Sequence, residues 1–219
     1  MNNIFSVPLA YLIGSIPSGL LVVKIANGKD VRDIESGRTG GTNAMRAAGP
    51  LAGLFTAALD VFKGAAAVWV GQNLFSSPDW VVAINGLFAI LGHNYSAFLI
   101  KRNADGKLVF KGGAGGATTL GVAIGLWMNS WLVILPIAGL VYLFIGYASI
   151  TTISIAISTM GISIVRAING AASWVYAILG AAAVGAVVFA LKPNLQRLKE
   201  GTERRVQLLA RIFSPKKFK

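Results

Sequence analysis

Two glycine-rich stretches carry the residue types that can hold a phosphate group. Lys111 to Thr119 reads KGGAGGATT, and Ser36 to Arg46 reads SGRTGGTNAMR. Glycines at a helix start let backbone N–H groups approach an anion closely, and the helix dipole adds a favourable field. Lys111, Gly112, Gly113, Gly115 and Thr118 are the candidate contacts in the first stretch, although the same glycines could equally serve as small packing residues or a flexible loop. The stretch is not a nucleotide-binding P-loop, because it contains no Gly-Lys-Ser or Gly-Lys-Thr. The second stretch offers Ser36, Asn43 and the Arg46 guanidinium, which can bind phosphate through two parallel hydrogen bonds. Taken alone, a capped loop with solvated charges is the simpler account of it.

Two further positions stand out because they are charged or titratable inside apolar sequence. Asp60 and Lys63 lie three residues apart, where a helix puts them on one face, either as an internal ion pair or as a direct ligand. His93, the one histidine, sits between Gly92 and Asn94 and inclines toward a site role. No Ser, His and Asp arrangement with recognisable spacing occurs, and an HxxxxD acyltransferase pattern is absent because Phe98 occupies the fifth position after His93. The chemistry to expect is the holding of anions, not a general-base dyad.

The elements that must position these residues belong to a membrane protein. The chain has 219 residues, 55% of them apolar and 13% charged, about half the charge content of a soluble domain. There are no cysteines, which excludes disulfides, thiol nucleophiles and thiolate metal sites, and one histidine makes a histidine-based metal site implausible. The net charge of +12 comes from 20 Lys and Arg, of which eighteen fall in Lys24 to Arg46, Lys101 to Lys111 and the tail from Lys192. Nearly all of them adjoin apolar runs, so anionic lipid headgroups or phosphorylated substrates are expected partners in preference to nucleic acid.

Membrane parity then sets the architecture. If all three basic segments are cytoplasmic, the chain crosses an even number of times between consecutive segments, two and then four, and the first helix brings the total to seven. An all-α, seven-helix integral membrane protein follows, with the amino terminus outside and the carboxy terminus inside. The first helix, about residues 4–24, is expected to stay in the protein, because no positive region precedes it, and Gly14, Ser15, Pro17 and Gly19 permit a kink. The remaining helices are predicted near residues 51–71, 80–100, 117–128, 131–147, 151–166 and 171–191. A polar loop is expected over 25–50 and a turn around Asn103 to Gly106. Residues 1–203 form the membrane domain, and 204–219 form a basic tail.

In order and spacing these segments resemble the bacterial acyl-phosphate:glycerol-3-phosphate acyltransferase family, the PlsY type. The matching residues are Gly14-Ser15-Ile16-Pro17 with Gly19, then Asp30, Arg32, Ser36-Gly37, Gly40, Thr42-Asn43, Arg46 and Gly49, then Asp60 with Lys63-Gly64. Gly92-His93, Phe98, Lys111-Gly112-Gly113, Gly115, Ala117-Thr118 and the stretch YASITTIS with Ser149 continue the series, which ends in Asn194, Arg197-Leu198, Gly201 and Glu203. The resemblance implies an enzyme of phospholipid synthesis in the bacterial cytoplasmic membrane, its site facing the cytoplasm. It would move a fatty acyl group from acyl phosphate to the 1-hydroxyl of glycerol 3-phosphate, without metal, cofactor or acyl-CoA. It also implies that Ser36, Arg46, Gly112, Gly113, Gly115 and Thr118 contact phosphate, that Asn43 and Asn194 orient substrate, with Asn194 as the candidate catalytic residue, and that Lys63 and His93 line the site.

The sequence departs from the family pattern at three places. Ala114 stands where the third motif, GGKG, has its lysine; Leu191 stands where a histidine precedes Asn194 by three residues; and Arg38 replaces a usual asparagine. Residues 103–109 read as an insertion carrying Lys107. Loss of a phosphate-binding ammonium costs about 1.5 to 3 kcal/mol per charge-assisted hydrogen bond. Either Lys107, Lys111 or Arg38 replaces it, or the activity is weakened or redirected, the alternative being a non-catalytic relative that binds anionic lipid or a phosphorylated metabolite.

Overall fold

The computed structural model describes residues 3–102 and 105–205; the tail from residue 206, with Arg211, Lys216, Lys217 and Lys219, and part of the turn expected at Asn103 lie outside the described residues. The first apolar segment is two helices instead of one. After a 3-10 turn, α1 (Ser6–Ser15) stops at Ile16, and α2 (Ser18–Asn27) begins behind Pro17. Proline has no N–H and disfavours a helical conformation in the residue before it, and Ile16 accordingly leaves the helix with ψ 119°. The freed Ile16 carbonyl accepts a hydrogen bond at 2.9 Å from Nζ of Lys63 on α4 (Pro50–Trp69). The Ser18 N–H donates to the same carbonyl at 3.0 Å, and because backbone polar groups in hydrocarbon need partners, the lysine adds a second donor at the break.

The loop expected over 25–50 contains a helix of its own, α3 (Gly41–Ala48). Beyond α4 and a π-helical turn, α5 (Asp79–Asn94) runs back to the level of the glycine-rich stretches. The insertion is a short antiparallel hairpin, β1 (Lys101–Arg102) with β2 (Leu108–Val109), in which Lys101 opposes Val109. There follow α6 (Gly116–Leu126), α7 (Trp131–Phe144), α8 (Ala148–Ile168) and α9 (Trp174–Ala190), all within a few residues of their predicted limits. A short α10 (Lys192–Lys199) is bent by 62° from α9.

Among the described residues four segments, Asn3–Asn27, Pro50–Leu74, Asp79–Leu99 and Ala148–Ile168, are long and apolar enough to cross a bilayer, and α9 with α10 makes a fifth if the bent pair is one span. Gly116–Leu126 and Met128–Phe144 are apolar but shorter. Phe62, Trp69, Phe144, Ile178 and Phe189 are exposed, a surface that suits lipid and not water.

Since lipid removes the hydrophobic incentive for helices to associate, close van der Waals approach through small residues takes its place. Gly14 of α1 rests on the Ala89 backbone of α5, Gly92 of α5 on the Tyr11 carbonyl, Gly64 of α4 on the Thr118 carbonyl of α6, and Gly121 of α6 on the Val61 carbonyl. A Cβ at any of these would collide with backbone. Buried hydrogen bonds reinforce the contacts: Asn85 Nδ2 donates to Ser6 Oγ at 2.9 Å, and Ser96 Oγ donates to the Ser15 carbonyl at 2.5 Å.

Polar contacts mark two opposite ends of the bundle. At one, Tyr176 donates to Asp79 at 2.7 Å, joining the starts of α9 and α5, and Arg166 lies 4.6 Å above the Trp127 ring, joining the ends of α8 and α6. At the other, Arg204 donates to Glu35 at 2.5 Å and Arg205 to the Ile145 and Phe144 carbonyls at 3.0 and 3.1 Å. All the glycine-rich sequence gathers at this second end.

Candidate functional site

A cleft of about 850 Å³ opens at that second end, between the 36–46 segment, α4, α6, α7, α8 and the start of α10. Its polar part is lined by Ser36, Arg38, Asn43, Arg46, Asp60, His93, Gly115, Ser149, Asn194 and Glu203. An apolar lane continues from it along Val61, Phe62, Leu120, Ile124, Trp131, Leu135 and Ile155. A charged group at one end and a hydrocarbon chain at the other fit such a shape, and the volume lies in the range of small-molecule sites.

Seven residues singled out from the sequence therefore share one cleft: Ser36, Asn43, Arg46, His93, Gly115, Ser149 and Asn194. Lys63, Lys111, Gly112, Gly113 and Thr118 do not line it. Lys63 sits behind Asp60, its Nζ 2.9 Å from the carboxylate, and Lys111 is exposed on the outside. Thr118 is fully buried on α6 against Gly64 of α4. Gly112 and Gly113 pack on the end of α5, where Gly113 N–H donates to the His93 carbonyl at 2.9 Å and a Cβ would strike the His93 ring. Half of the glycine run is thus a seat for the histidine. The other half is open: Gly115, at φ +92°, turns the chain into α6, and Gly115, Gly116 and Ala117 face the cleft. No side chain caps α6, so its first N–H groups point a positive dipole end at the polar part of the cleft.

Asn43, at the start of α3, folds the preceding loop onto itself. Its Nδ2 donates to the carbonyls of Val31, Ile34 and Arg38, each at 2.9 Å, so one carboxamide shapes the segment that carries Ser36 and Arg38. Ser36 Oγ accepts from the Arg38 N–H at 3.4 Å. Arg46 reaches the cleft from α3 with no hydrogen bond or ion pair among the described residues, and Ser149, on the first turn of α8, is buried with its hydroxyl unpartnered. His93 Nδ1 stands 3.5 Å from the Asp60 carboxylate, which joins histidine, aspartate and lysine in one buried row.

Three further residues line the polar part: Glu203, matched from the sequence without a role, and Asp60 and Arg38, read there as a possible direct ligand and a possible replacement for the missing lysine. Asp60 separates Lys63 from the cleft, and Glu203 accepts from Asn194 Nδ2 at 3.1 Å. Arg38 is the third: its Nε donates to Asn194 Oδ1 at 3.1 Å, its Nη1 to the Gly113 carbonyl at 2.9 Å and its Nη2 to the Ala190 carbonyl. Burial, and the nearby charge of Arg197, lower its pKa from the usual arginine value, and it stays charged at neutral pH. A cation in the middle of a run of small donor residues was the available signal.

Residues 4–201 match the family model described as glycerol-3-phosphate acyltransferase. A glycerol-3-phosphate acyltransferase of Thermus thermophilus is 37% identical over 203 residues, covering 93% of this chain and 94% of that protein, and one of Geobacter sulfurreducens is 36% identical over 207 residues, covering 94% and 98%. The crystal structure of PlsY (YgiH), an integral membrane glycerol 3-phosphate acyltransferase, in its glycerol 3-phosphate form superposes with a TM-score of 0.81 at 29% identity over 98% of this chain and 100% of that one. Its lysophosphatidic acid form gives 0.79. On a match over residues 4–201, and on an apolar helical bundle whose polar cleft gathers seven of the residues singled out from the sequence, the chain belongs to the glycerol-3-phosphate acyltransferase family and is a multi-pass membrane enzyme.

Proposed function

We propose that this chain transfers a fatty acyl group from acyl phosphate to the 1-hydroxyl of glycerol 3-phosphate, forming lysophosphatidate and inorganic phosphate. The observation that carries the reading is the single cleft in which two arginines and an uncapped helix start face an apolar lane. The polar part takes the phosphate groups, and the lane takes the acyl chain. In the reaction the 1-hydroxyl oxygen forms an ester bond to the acyl carbon, the acyl carbon–oxygen bond to phosphate breaks, and the hydroxyl proton leaves on the departing phosphate. Because the donor is already an activated anhydride, orientation and charge neutralisation supply most of what is needed.

Arg46 and the start of α6 neutralise phosphate charge, and Ser36 and the unpartnered Ser149 hydroxyl donate hydrogen bonds to substrate oxygens. Asn43 acts through the loop it shapes, and Asn194 through Arg38. The Asp60 and His93 pair supports the floor of the site.

The same reading places the site at the cytoplasmic face. All seven apolar segments cross, the shorter α6 and α7 included; the amino terminus is outside, and the carboxy terminus with the basic segments is inside. Contacts between the starts of α5 and α9 at one end, and among the 36–46 segment, the start of α6 and the end of α9 at the other, support that alternation. The decisive experiment supplies palmitoyl phosphate to the purified protein in detergent and follows phosphate release and lysophosphatidate by mass spectrometry. Release that requires glycerol 3-phosphate is expected; none at any substrate concentration sinks the reading.

A further inference from the structure

We propose that Arg38 holds the phosphoryl group of a substrate, supplying from the 36–46 segment the positive charge that Ala114, at the approach to α6, does not carry. The inference rests on the transferase reading above and adds to it a phosphate-binding residue.

The guanidinium crosses the cleft to the opposite wall and is fixed there by three neutral acceptors: the Gly113 carbonyl, the Ala190 carbonyl at the end of α9, and Asn194 Oδ1. Among the described residues no carboxylate lies within 4 Å of it, so its charge has no ion-pair partner. A guanidinium has five N–H bonds, and three are used; two remain for an anion. Glu203 acts on this cation only from beyond ion-pair distance; a partly buried cation without a close counter-charge is costly, and a phosphate entering the cleft supplies one in the planar geometry arginine prefers.

The other candidate cations do not fit the same position. Lys111 and Lys107 are exposed and do not line the cleft, and Lys63 is committed to Asp60 and the Ile16 carbonyl. Arg46 lines the cleft from α3, which leaves two arginines for two phosphorylated substrates. Asn194 is then a positioning residue, its amide oxygen holding Arg38 and its amide nitrogen held by Glu203.

The test compares KM for each substrate in Arg38→Asn and in the double variant Arg38→Asn with Ala114→Lys. Arg38→Asn should raise KM about tenfold or more for one substrate, and which one rises identifies whose phosphate Arg38 holds. The double variant should recover most of that loss, since a lysine at 114 returns charge to the cleft without restoring the tie to Asn194 and Ala190. Unchanged KM for both substrates in Arg38→Asn overturns the proposal, as does a double variant that melts like wild type yet keeps the raised KM. Phosphate binding is also read without turnover, by the rise in melting temperature that inorganic phosphate or glycerol 3-phosphate gives the full chain. If wild type shows no acyl transfer, the transferase reading fails by itself; a phosphate-induced rise that Arg38→Asn abolishes still upholds the binding role, and a rise equal in both overturns it.

Discussion

Charge in this protein is placed residue by residue, and its ion pairs do different work. Asp30 accepts the Arg32 N–H at 2.9 Å and its guanidinium at 2.5 to 3.0 Å, which holds the aspartate pKa at about 2, below the ordinary 3.8. A depressed carboxylate pKa stabilises the folded state above the unfolded value, and that contribution is lost as pH falls through the folded one. Melting of Asp30→Asn and wild type in detergent should therefore differ most above pH 4 and converge toward pH 2. Since the pair is partly exposed, the difference should be no more than about 1 kcal/mol.

At the scale of elements, the break in the first helix and the charges in the middle of α4 are one feature. Pro17 frees the Ile16 carbonyl, Lys63 donates to it, and Asp60 balances the lysine. Lys63→Met leaves the buried Asp60 carboxylate without its ion-pair partner and removes one of the two donors to the Ile16 carbonyl, and it should cost about 3 to 5 kcal/mol, read as a lowered melting temperature. Lys63→Met with Asp60→Leu removes the uncompensated charge and should recover part of the loss. Two equal melting temperatures for wild type and Lys63→Met would mean that the helix break needs no second donor.

For the whole molecule, the absence of cysteine makes topology directly measurable. Asn169→Cys, at the end of α8, and Thr202→Cys, beyond α10, are both exposed and lie toward opposite ends of the bundle. In intact cells a membrane-impermeant maleimide should label Asn169→Cys, and it should reach Thr202→Cys only after lysis. Labelling of both in intact cells would reverse or break the proposed order of crossings. Parity could set an expectation of seven because basic segments and apolar runs are properties of composition along the chain. It could not foresee that α9 would end in a bend, which depends on the turn at Leu191.

The sequence by itself determined the solvent, the helical class, the order of the apolar segments and the identity of the motif residues, because all of these follow from residue type and local spacing. Local information named Ser36, Asn43, Arg46, His93 and Gly115, and the family resemblance added Ser149 and Asn194, residues 158 positions apart at their extremes, without saying which would meet. Tertiary structure decided that. Gly112 and Gly113 became the seat of His93 because α5 ends against them, and Lys63 faced a broken helix because α1 crosses α4 there. Arg38, which in sequence is a departure from a motif and one of three candidate replacements for its lysine, turned inward because three acceptors from distant segments converge on one point. Convergence of that kind is a property of packing, which no local pattern encodes.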